Sequence, residues 1–161
     1  MSSNELLGVY LNDHLAGASA GMELAEKLRS GSEGTAFGAV LSVLVAEIKE
    51  DRAMLEALTE RLGIEKSPVK QAAGWIFEKL SRLRLDQHVT GSPDLSRLLE
   101  AETLSLGIEG KLVMWRALKE VATVDARLAT TDFDVLIARA RGQRESLEPY
   151  RLQAAVKAFS P

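Results

Sequence analysis

Residues 4–62 read NELLGVYLNDHLAGASAGMELAEKLRSGSEGTAFGAVLSVLVAEIKEDRAMLEALTERL, and the way their apolar residues recur decides the fold. Apolar or small side chains stand three and four apart at Leu7, Leu11, Ala18, Gly21, Ala25 and Leu28. They do so again at Phe37, Leu41, Leu44, Ile48, Leu55, Leu58 and Leu62. That spacing puts each set on one face of a helix. Each stripe carries one polar interruption, His14 in the first and Asp51 in the second. The intervening segment, SGSEGT at 30–35, is short, polar and glycine-rich, which permits only an antiparallel hairpin. With the reversal near Ser32 and Glu33, facing residues have numbers adding to about 65, because both helices rise equally per residue. His14 then faces Asp51.

Outward from this hairpin, four long amphipathic helices are expected, over 4–30, 35–62, 94–123 and 132–159, with Thr131 or Asp132 capping the last. The last two form a second antiparallel pair. Its seam runs Leu98, Ala101, Ser105, Ile108, Leu112, Trp115, Lys119 and Ala122 against Ala158, Ala154, Tyr150, Leu147, Gln143, Ala140 and Leu136. Glu102 and Glu109 lie at the edge of that seam, within reach of Arg144 and Arg151 on the facing helix, since acids near a core are usually paired. Pro149 interrupts the last helix, where a bend is expected, with Tyr150 lining any pocket it opens.

The two pairs are separated by a long connection, 63–93. Ser67 followed by Pro68 is a helix cap with proline at the first helical position, so 69–85 reads as a shorter helix, and Gly91-Ser92-Pro93-Asp94 starts the next long one. Two antiparallel hairpins joined by a long crossover carrying a short extra helix make an all-α four-helix bundle in which the second and third helices run parallel. Glu109 and Tyr150 then reach the height of His14 and Asp51. The expectation is a mid-bundle polar layer of His14, Asp51, Glu109 and Tyr150.

Bulk composition narrows the functional classes. At 161 residues the chain, 1–161, makes one domain rather than two. A net charge of -3, from 20 basic and 23 acidic residues, supplies no field for nucleic acid. Aromatics at 5% leave no platform for stacking bases. Cysteine is absent, which removes thiolate nucleophiles, iron-sulfur ligation and thiolate zinc sites together, and only two histidines are present. Residues 1–7 lack the character of a signal peptide, and the most apolar stretch, 36–46, falls short of the roughly 20 residues that span a bilayer. The expectation is a cytoplasmic protein that binds neither membrane nor nucleic acid.

In this topology the chain resembles the ferritin-like four-helix-bundle superfamily. Such bundles hold a di-iron or di-manganese site with one Glu on each of two helices and Glu-x-x-His on each of the other two. Here the matching turns hold Asp13 and His14, then Glu47-Ile48-Lys49-Glu50 followed by Asp51, then Glu102 or Glu109, then Gln143, Arg144 and Tyr150. The resemblance implies the fold with a degenerate ligand set. The expected function is a non-catalytic scaffold or binding module without a cofactor or a working di-metal centre. The alternative is an iron or manganese oxidoreductase with a reduced ligand set of His14, Asp51, Glu47 and Glu109. An acid-base enzyme built on His14 and Asp51 is a third.

Each of these residues has a plainer reading beside the functional one. His14 with Asp51 can be a buried hydrogen bond that sets helix register. Gly17 and Gly21 among Ala16, Ala18 and Ala20 make a small-residue patch, as do Gly107 and Gly110 on the third helix. Such a patch admits a bulky side chain such as Trp75 or Trp115, the crossover, or a second copy in a homodimer. The basic clusters Lys79, Arg82, Arg84 and Arg139, Arg141, Arg144 suit a phosphate or an acidic partner, and also ordinary intrahelical pairs. His88 reads as a solvated loop residue.

Overall fold

Four helices are present among the residues described by the computed structural model, 1–66 and 92–160. They are α1 (Ser3–Ser30), α2 (Ala36–Arg61), α3 (Pro93–Val121) and α4 (Phe133–Phe159). Every start has a chemical reason. Ser2 caps α1 in a reciprocal box with Glu5, and the Thr35 and Asp132 side chains accept from the Gly38 and Val135 N–H. Ser92 caps α3, and Pro93 follows it in the first turn, where its missing N–H costs nothing. The α1–α2 loop fits because Gly38 carries no side chain: a Cβ there would stand 2.1 Å from the Ser32 carbonyl oxygen. Gly34 turns the loop with φ +75°, a left-handed conformation open to glycine.

Cross-helix pairs give the directions. Glu102 meets Arg151, Glu109 meets Arg144 and Lys119 meets Asp134, so α3 and α4 run antiparallel. Phe37 stacks on Tyr150 while Glu50 meets Arg139, so α2 and α4 do too. Lys27 pairs with Glu100, and Arg127 just beyond α3 reaches Asn4, which sets α1 against α3 in the same sense. With α1 and α2 joined as a hairpin, α2 and α3 point the same way. Around the bundle the order is α1, α2, α4, α3. Arg61 at the end of α2 donates to the Thr130 and Thr131 hydroxyls in the α3–α4 loop, so α2 and α3 end together.

The core is aliphatic. Leu11, Leu41, Leu44, Leu55, Leu58, Leu104, Leu118 and Leu147 are buried, with Trp115 and Met114 among them. Leu11, Leu41, Leu44, Leu55, Leu58, Trp115 and Leu147 are seam positions read from the heptad spacing, whereas Leu104, Met114 and Leu118 lie on the neighbouring rows of α3, and the expected seam residues Ser105 and Lys119 are half-buried and exposed respectively. The four-helix, all-α reading holds. The anticipated crossover helix at 69–85, with Trp75, Lys79, Arg82 and Arg84, and the loop residue His88 beyond it lie outside the described residues. α4 continues as one helix through Pro149. No helix among the described residues is long and apolar enough to cross a membrane.

Candidate functional site

The α2 stripe Leu44, Ile48, Asp51, Leu55, Leu58 is buried at every position, so the carboxylate of Asp51 is drawn into the core by its apolar neighbours. It is 2% exposed. Its partners come from across the bundle. Lys111 on α3 donates to Asp51 Oδ2 at 2.5 Å and to Gln143 Oε1 at 2.5 Å. Gln143 on α4, itself buried, donates back to Asp51 Oδ2 at 3.1 Å and closes a three-membered ring of hydrogen bonds. Arg139 Nε lies 2.9 Å from Asp51 Oδ1, close enough to pair in charge but not aligned for a hydrogen bond, while its Nη1 reaches Glu50 at 2.5 Å. Asp51, Glu50, Lys111 and Arg139 thus balance in charge. Burial pushes the Lys111 pKa below the ordinary lysine range, and the charges of Asp51 and Glu47 offset part of that.

Beside this network a cavity of about 110 Å³ lies between α1, α2 and α3. Asp51, Ile48 and Leu55 close one side, His14, Gly17 and Gly21 a second, and Gly107, Lys111 and Trp115 a third. His14 is half-buried, its ring edge-on to Tyr10 at 4.6 Å between centroids. Burial lowers its pKa below the usual histidine value, with Asp13 next door opposing. The Trp115 indole N–H is buried and donates to nothing among the described residues.

The residues anticipated for one polar layer are therefore distributed over several places. His14 and Asp51 line the same cavity without an ion pair or hydrogen bond between them, and the acid is held by Lys111, Gln143 and Arg139 instead. Glu109 is half-buried on the α3–α4 face and pairs with Arg144 at 2.5 Å, as Glu102 does with Arg151 at 3.1 Å. Tyr150 lies two turns from Gln143 along α4, stacked on Phe37 at 4.7 Å, and lines a separate groove with Thr35 and Arg97. Glu47 acts on Lys111 of that layer through its charge. Among the described residues no three His, Asp or Glu side chains gather as a metal would need, so the reduced ligand set of His14, Asp51, Glu47 and Glu109 is not brought together.

Lys111 and Arg139 are the members that pattern reading missed. The signal was available: Ile108, Lys111 and Trp115 share one row of α3, and Leu136, Arg139 and Gln143 share one row of α4. Two cations on apolar rows, opposite one buried acid, are an ion-pair layer. No family model, curated protein or solved structure matches the chain.

Proposed function

We propose that the chain is a non-catalytic small-molecule-binding module on a ferritin-like frame, without a working di-metal centre. The frame is supported by the helix directions, two antiparallel hairpins with α2 parallel to α3. One observation carries the loss of the metal site: the buried carboxylate Asp51 is already neutralised by Lys111 and Arg139. An ammonium and a guanidinium supply the positive charge a cation would bring, and a metal ion there would meet both at close range. Binding is supported by the cavity beside this pair, which is mostly apolar and has a few convergent polar groups.

Metal content after purification without chelators tests this reading. The expected result is well below one equivalent of iron, manganese or zinc per chain, unchanged after incubation with iron or manganese. Stoichiometric metal lost on substituting Asp51 would replace it with the oxidoreductase reading.

A further inference from the structure

Three glycines inside helices, Gly21 on α1 and Gly107 and Gly110 on α3, border the cavity, and a Cβ added at any of them would meet nothing within 4 Å. Glycine is among the poorest residues for a helix interior, and it is usually retained where another backbone presses close. Among the described residues no such approach exists at these three positions. What the missing side chains preserve is the space itself.

The chemistry of the wall narrows the occupant. Asp51 and Lys111 are committed to each other and Arg52 pairs with Glu56, while Asp13 is exposed. Among the described residues the interior therefore offers no unanswered charge to receive an ion, and an ionic guest would lose its hydration without compensation. Among the described residues two polar groups remain for a neutral guest, the His14 imidazole and the N–H of Trp115, which has no partner among them. Burial favours neutral His14, which has one donor and one acceptor nitrogen. The volume of about 110 Å³ is somewhat below that of an apolar cavity of about 150 Å³ known to admit benzene.

We propose that this cavity binds a neutral, mostly apolar molecule of about benzene's size or smaller, carrying one hydroxyl or carbonyl that hydrogen-bonds His14 or the Trp115 N–H. The inference rests on the binding-module reading above and specifies its ligand class.

The test uses the full chain with Trp75→Phe, leaving Trp115 as the only indole, and titrates benzene, phenol, benzoate and benzylamine by calorimetry and Trp115 emission. Phenol is expected to saturate a single site and perturb the emission, at least about tenfold more tightly than either charged analogue. His14→Phe is expected to weaken phenol several-fold and leave benzene unchanged. The triple variant Gly21→Ala, Gly107→Ala, Gly110→Ala is expected to lose the site while its melting temperature rises by a few degrees. The single Gly107→Ala variant reads the same loss in part should the triple fold poorly. Tighter binding of benzoate or benzylamine at this site overturns the ligand class and leaves a binding module standing. Saturable phenol binding that the alanines do not affect places the guest elsewhere and overturns the site. No saturable binding of any probe overturns site and module together.

Discussion

Asp51 and Glu109 are both carboxylates answered by basic side chains from another helix, yet their surroundings differ. Asp51 is 1% exposed at its side chain, facing Lys111 at 15% and Arg139 at 22%. Glu109 and Arg144 are 36% and 45% exposed. Coulomb attraction is weak in water and strong in the core, but so is the cost of stripping water from each ion. The two sites therefore carry the same chemistry with different consequences. In the core the pairing is obligatory once one member is present. At the surface each member stays hydrated without the other.

The largest effect expected from this contrast is that of Asp51→Ala, which leaves Lys111 and Arg139 facing each other beside an apolar cavity. Denaturant unfolding is expected to show a loss of about 3–5 kcal/mol. Replacing the ring as a unit, with Asp51→Leu, Lys111→Met and Gln143→Leu together, is expected to be neutral or to stabilise by about 1–4 kcal/mol, with Arg139 keeping Glu50. A single variant that costs less than about 1 kcal/mol would mean that the buried layer behaves like a surface pair.

Patterns confined to one helix were the readable part of this molecule. Apolar spacing located all four helices to within one or two residues, because burial of a stripe depends on period alone. Asp51 was legible as a defect for the same reason. Its partners were legible only as cations on apolar rows, because Lys111 and Arg139 have long flexible stems whose heads travel well away from their backbone positions, and a row does not say which heads meet. Tyr150 was misplaced because it was assigned a height by comparison across three helices and their loops. A shift of two turns accumulated there, and the ring instead stacks on Phe37 near the start of α2. The cavity was foreshadowed only as a small-residue patch, since glycine spacing does not say whether a neighbour fills the room.

A smaller effect, expected at the cavity wall beside that layer, concerns pH. Burial lowers the pKa of His14 in the folded chain below the ordinary value of 6.5. As pH falls through 6.5, the unfolded chain takes up a proton that the folded chain refuses, so stability declines. The decline ends once pH passes below the folded value, where both states are charged. Unfolding free energies measured between about pH 7.5 and pH 5 should therefore fall more steeply in the wild type than in His14→Phe. The difference between the two slopes isolates His14 from every carboxylate and from His88. Equal slopes would show that the His14 ring is as well hydrated folded as unfolded, which would also open the cavity wall to solvent.

The smallest effect belongs to the surface half of the comparison. A double-mutant cycle of Glu109→Gln and Arg144→Gln is expected to return a coupling of about 0.2–1 kcal/mol at low salt, because both heads remain hydrated and their attraction is spread through water. Raising ionic strength toward 1 M shortens the screening length to about 3 Å and should reduce that coupling toward zero. A corresponding cycle on Asp51 and Lys111 should keep most of its coupling under the same salt, since ions do not enter the packed core to screen it. Salt dependence is thus the sharpest separator, because it reports solvent access rather than distance, and the two pairs are alike in distance at 2.5 Å each. A coupling at Glu109 and Arg144 that survives high salt would place that pair in the same category as the core, and the division drawn between the two sites would fail at its surface end.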